Sequence, residues 1–151
     1  MAYGLANYKS DLIAAVASVS GSMLDCTGPT SHPMPVIHLH GTSDGVLPYN
    51  GSSDWSSTQS TLDHWISFNN TITNPTFSSD NGGGMTIEHY AYDQGDSLVS
   101  VEHYKYIGGD HVWFSPTFQG QNTSELVWDF VRCQGDSLKG SGGYDLGEWA
   151  R

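Results

Sequence analysis

Basic residues are scarce in this sequence. Only 5 of 151 residues are Lys or Arg, against 16 Asp and Glu, for a net charge of −11. Phosphate binding needs clustered Lys and Arg, so nucleic acid is excluded as a partner, and an anionic membrane surface with it. Charge of either sign is thin, at 14% of residues against roughly 25% in an average soluble domain. No apolar run approaches the ~20 residues of a membrane span. Cysteine is nearly absent. Cys26 and Cys133 form no C-x-x-C and have no clustered Cys/His partners, which argues against structural zinc and leaves a single disulfide open for an exported protein. The N-terminus has neither the basic segment nor the long apolar segment of a signal peptide. Any export signal is therefore expected to lie upstream or to have been removed. Composition also excludes collagen, coiled coil and charge-driven disorder.

What is present describes a globular chain. Hydrophobic residues make up 37% and aromatics 12%. A chain of 151 residues has room for one domain and can bury roughly 68–70% of its unfolded surface. Eighteen glycines, with many Ser, Thr and Asn, point to polar loops between buried strands.

Periodicity and turn signals place the elements. Residues 1–8 read as a helix with no capping residue ahead of it, so the chain is expected to begin inside a structural element. Residues 12–20 (LIAAVASVS) and 36–40 (VIHLH) read as buried strands. Residues 56–68 read as a helix and 69–84 as a polar loop. Residues 87–92 (IEHYAY) and 101–106 (VEHYKY) form a near-repeat separated by turn residues, the pattern of an antiparallel pair. Residues 125–131 read as a helix capped by Asn122 or Thr123. The expected organisation is a partial domain over 1–133 and a Gly/Ser-rich tail over 134–151. Strands apolar on both faces, alternating with helices, imply an α/β sheet covered on both sides.

Three spots have the residue types for chemistry. Asp44 lies in the loop His40-Gly41-Thr42-Ser43-Asp44-Gly45, just after a buried strand, where α/β sheets build their sites; the alternative is a turn or cap residue. His111 follows the double glycine of Gly108-Gly109-Asp110-His111. That turn can aim an imidazole into a cleft, and imidazole suits general-base work because it titrates near neutrality; the alternative is a surface histidine. His38 and His40 share one strand face at metal-binding spacing, but an apolar strand without obvious further ligands favours packed core histidines. His89 and His103 are expected to face each other across strands or to face solvent.

An acid loop, a long gap and a histidine loop reproduce the last two steps of the α/β-hydrolase order. The stretches MAYGLA, AAVASVSGSM, PMPVIHLHGTSDGVLPYNG, YKYIGGDHVWF and TSELVWDF resemble the polyhydroxybutyrate depolymerase and feruloyl esterase group of serine hydrolases, in order over most of residues 1–131. The resemblance implies a doubly wound, mostly parallel sheet with flanking helices, an extracellular carboxylic-ester hydrolase, Asp44 as the triad acid and His111 as its base, and no cofactor. In that group a Gly-x-Ser-x-Gly-Gly elbow precedes the segment matching Met1-Ala2-Tyr3, and no such elbow occurs in this sequence. Gly95-Asp96-Ser97 and Gly135-Asp136-Ser137 lack the following glycine, and Ser20 and Ser22 lack the preceding one. The chain is therefore expected to be the C-terminal half of such a hydrolase, close to inactive alone.

Candidate substrates are feruloylated polysaccharide, acetylated sugars or polyester. The half-sheet would leave the strand at 12–20 as an unguarded edge, so a homo-oligomer or a separate nucleophile-bearing half is the expected partner. Two rivals remain. One is a non-catalytic binding or assembly module in which Tyr49, Trp55, Trp113 and Phe114 line a groove, the same aromatics that would form a substrate pocket in the esterase. The other is a metal-assisted hydrolase using His38, His40 and His111, against the expectation of no bound metal.

Overall fold

A computed structural model of the chain describes residues 1–24 and 30–139, with side chains described as far as 133. Cys26 and residues 140–151 lie outside the described residues, and with them the pairing of Cys26 with Cys133 and most of the expected tail.

The most completely buried element is β2, Val36–Gly41, in which every residue is buried. Five hydrophobic or imidazole side chains in a row suit a strand covered on both faces. On one side it pairs in parallel with β1, Val16–Val19. On the other it pairs in parallel with β5, Val101–Tyr106. β4, Ile87–Tyr92, then pairs antiparallel with β5, and β3, Thr76–Asp80, pairs antiparallel with β4. The sheet is thus mixed, in the order β1-β2-β5-β4-β3, with two parallel and two antiparallel neighbour pairs rather than mostly parallel ones. The Glu-His-Tyr strand at 101–106 is itself an interior parallel strand, set between β2 and β4.

Helices cover both faces, as an α/β sheet requires. On one face lie α1, Ala2–Tyr8, and α2, Thr58–Phe68. They pack Tyr3, Ala6, Leu62, Trp65 and Ile66 against Val16, Val36 and Val101. The buried positions of α2 recur at helical spacing, and its Ser57 cap accepts a hydrogen bond from the Ser60 N–H. Asn69 closes that helix, bonding both the N–H and the carbonyl of Met34, which ties α2 to the entry of β2. On the other face lies α3, Thr123–Lys139. It packs Leu126 and Phe130 with Ile37, Leu39, Tyr104 and Tyr106. Asn122 caps it: its side chain accepts from the N–H groups of Ser124 and Glu125, and Glu125 accepts the Asn122 N–H in return.

Several sequence expectations need correction. Leu12 is not in a strand: residues 10–12 form a 3-10 turn and Leu12 is exposed, so β1 is four residues long. The polar stretch at 69–84 contains β3, an edge strand whose sequence TFSSD shows no buried alternation. α3 continues to Lys139, past the expected start of the tail. His89 and His103 do not face each other. The antiparallel register sets His89 opposite Tyr104 and Tyr90 opposite His103, on opposite faces of the sheet. His103 is buried, and His89 stacks on Tyr104 at 4.2 Å.

Candidate active site

The parallel strands β1, β2 and β5 end at the same edge of the sheet, and each sends a loop there. In such sheets ligands bind outside the carboxyl ends of the strands. Asp44 sits in the turn after β2, and His111 in the turn after β5. Their loops are stitched together by Ser43 N–H to the Gly109 carbonyl at 2.9 Å, Gly108 N–H to Thr42 Oγ1 at 2.8 Å and Gly45 N–H to Asp110 Oδ1 at 3.3 Å. This closeness depends on glycine. A Cβ at Gly41 would meet the Gly109 carbonyl oxygen at 2.2 Å, and one at Gly109 would meet Phe114 and Tyr106 at about 3 Å.

The stitching brings His111 Nδ1 to 2.9 Å from Asp44 Oδ2. The Asp44 side chain is fully buried, while that of His111 is 37% exposed. Burial by itself would raise the Asp44 carboxyl. Hydrogen bonds from the Leu47 N–H, His111 and the Val46 N–H outweigh it, with the charge of His111, and hold the group below the usual carboxylate range. An ionised carboxylate only accepts, so His111 Nδ1 carries a proton, and in the neutral ring Nε2 has the free lone pair. The Ser20 hydroxyl, at the end of β1, donates to the Val112 carbonyl at 3.0 Å and anchors the residue that follows His111. Among the described residues no hydroxyl is hydrogen-bonded to His111.

His38 and His40 lie directly behind Asp44. His40 Nε2 is 3.1 Å from Asp44 Oδ2 and 2.9 Å from the Leu47 carbonyl, and His40 Nδ1 is 3.1 Å from His38 Nε2. His38 Nδ1 meets the Tyr3 hydroxyl. With every ring nitrogen of the pair engaged, a metal centre on His38, His40 and His111 would have to break this row. Among the described residues no group of three or more His, Cys, Asp or Glu is placed to hold a metal ion.

The candidate pocket aromatics separate. Phe114 is in the core, stacked on Tyr106 with ring centres 3.8 Å apart, and has no surface to offer a groove. Tyr49 donates to His103 Nε2 at 2.9 Å and lines a polar cavity of about 160 Å³ with Tyr90, Tyr92, His103 and Lys105. Trp55 and Trp113 are exposed, Trp113 the more so at 60%, two residues beyond His111. Sequence reasoning did not find the Val46 and Leu47 N–H donors, which are backbone groups and leave no residue-type signal. Nor did it connect His40 with Asp44, although their spacing of four across a strand end was visible.

The chain matches no protein-family model and no curated protein sequence.

Proposed function

We propose that this chain supplies the acid and the base of a Ser-Asp-His carboxylic-ester hydrolase resembling the polyhydroxybutyrate depolymerase and feruloyl esterase group, with the serine supplied from outside these 151 residues. One observation carries the reading: the 2.9 Å bond from His111 Nδ1 to a buried Asp44 carboxylate, at the carboxyl edge of adjacent parallel strands. In this role Asp44 fixes the tautomer of His111 and stabilises the imidazolium without taking the proton. His111 Nε2 takes the proton of the serine hydroxyl and returns it to the leaving alkoxide. The chemistry calls for no metal or cofactor. Exposed Trp113 and Trp55 suit a feruloyl or other apolar acyl group. A nucleophile-bearing half would add to the sheet beside β1, and the whole would act outside the cell, as the resemblance implies.

The test compares p-nitrophenyl ester hydrolysis by this chain with hydrolysis by a longer chain that includes the sequence encoded just upstream of Met1. The chain alone is expected near background. The longer chain is expected to carry an in-frame Gly-x-Ser-x-Gly, to be blocked by a serine-directed phosphonate, and to lose about 10⁴–10⁶ in turnover in His111→Ala. An upstream frame without that elbow, or an active longer chain indifferent to His111→Ala, overturns the proposal.

A further inference from the structure

A row of buried side chains runs behind Asp44, and one end of it fixes every proton along it. His40 Nε2 has two neighbours, the Leu47 carbonyl at 2.9 Å and Asp44 Oδ2 at 3.1 Å. Both are acceptors, so Nε2 carries the proton. In neutral His40 the other nitrogen, Nδ1, must accept, and its neighbour at 3.1 Å is His38 Nε2, which is therefore a donor. His38 Nδ1 is left to accept from the Tyr3 hydroxyl. Burial holds the Tyr3 phenol up, so it keeps its proton, although a hydrogen bond from Ser18 opposes the shift. Burial, then the neighbouring His103 and His40, hold His38 well below the usual imidazole range, so it stays neutral. The donors of Tyr3, His38 and His40 all point the same way, toward the carboxylate.

Asp44 Oδ1 is held by two backbone N–H groups. Among the described residues Oδ2 is hydrogen-bonded only to His111, on a half-exposed loop, while His40 Nε2 lies 3.1 Å behind it and gives its hydrogen bond to the Leu47 carbonyl. His40 therefore reaches the carboxylate through Leu47: it pins the Leu47 carbonyl, and the Leu47 N–H holds Oδ1, whether or not His111 is docked.

We propose that His40, backed by His38 and Tyr3, is the positioning residue that pins the Leu47 turn and through it holds Asp44 in place, and thereby locks His111 as the Nδ1–H tautomer. The consequence for ester hydrolysis rests on the preceding reading, because an Nδ1–H ring is the one whose Nε2 can act as base. The tautomer itself is a property of this chain and needs no serine and no substrate.

The experiment is imidazole ¹⁵N NMR on the labelled chain at pH 8, where free histidine is neutral, with ring assignments from single variants. In the wild type, His38 and His40 are expected protonated at Nε2 and His111 at Nδ1. In His40→Leu, the His111 resonances are expected to exchange places, because an unrestrained imidazole in water favours the Nε2–H form. His40→Gln is expected to restore the wild-type pattern, since its amide nitrogen reaches the place of Nε2 and its oxygen can accept from His38. A wild type with His40 protonated at Nδ1, or with His111 protonated at Nε2, overturns the proposal without any variant. So does a folded His40→Leu whose His111 tautomer is unchanged. Failure of the longer chain to hydrolyse esters would leave these resonances untouched, so the two readings fail separately.

Discussion

Burial in this chain falls heavily on imidazoles. Burial holds His38, His64 and His103 below their ordinary titration range, His103 to about 4. Each is a base that the folded chain refuses to protonate and the unfolded chain protonates readily. Between pH 6.5 and about 4 the unfolded state therefore binds more protons, and stability falls as pH falls. The histidine contribution is complete above about 6.5 and is lost as pH falls below it, at up to about 1.4 kcal/mol per pH unit for each of the buried His38 and His103. The lowered carboxyls Asp44 and Glu88 add their loss only nearer pH 4, where unfolded carboxylates begin to protonate. Urea melts at pH 7.5, 6, 5 and 4.5 are expected to show the midpoint falling from the first step below 6.5. A midpoint constant down to pH 4.5 would contradict the buried, neutral histidines.

At the scale of elements, the acid and base loops are held by a close backbone approach and by hydrogen bonds to the Thr42 and Asp110 side chains. Gly41→Ala places a methyl within 2.2 Å of the Gly109 carbonyl oxygen, which cannot rotate away as a side chain end could. The expected loss is about 1–3 kcal/mol, together with loss of the His111 Nδ1–H signal that Asp44 maintains. Differential scanning calorimetry and the imidazole spectrum would check both. A variant with wild-type Tm and an intact His111 resonance would show that the loops do not need this contact. The cap of α3 gives a quieter comparison. Asn122→Ala removes the acceptor for two helix N–H groups and is expected to cost about 1 kcal/mol while leaving the Asp44–His111 pair alone. An equal disturbance of the pair would mean that α3 and the site unfold together.

At the scale of the whole molecule, β1 and β3 are the two ends of the sheet, and β1 is the one beside the site. Val16 and Ser20 donate to Pro35 and Leu39 on the β2 side, so the N–H groups of Ala17 and Val19 face outward, with no strand beyond them among the described residues. No Pro, Lys or Arg stands in Val16–Val19, and such an edge is a template for another strand. Self-association at micromolar concentration is the expected outcome by sedimentation velocity. Ala17→Pro removes an outward N–H without touching the ladder to β2, and is expected to shift the population toward monomer. A wild type that sediments as monomer throughout would sink the idea of edge pairing.

Much of this was legible in the sequence. The strand pair at 87–92 and 101–106 showed its bounds because turn residues flank two alternating runs, and α2 showed its face because Leu62, Trp65 and Ile66 recur at helical spacing. Asp44 and His111 stood out because each follows an apolar strand and lies beside glycines. Their pairing across 67 positions was expected only from the resemblance, since it depends on β5 inserting next to β2, which no local pattern encodes. The edge strand β3 was invisible for a related reason: its backbone is recruited by β4, and its side chains, mostly facing water, bear no hydrophobic alternation. The sequence by itself determined which residues are apolar, where the chain turns and which side chains can carry a proton. Only the tertiary structure decided that His40 backs Asp44, that Phe114 belongs to the core, and that His89 and His103 lie on opposite faces. Those are matters of register and strand order, and a shift of one residue along a strand sends every side chain to the other face.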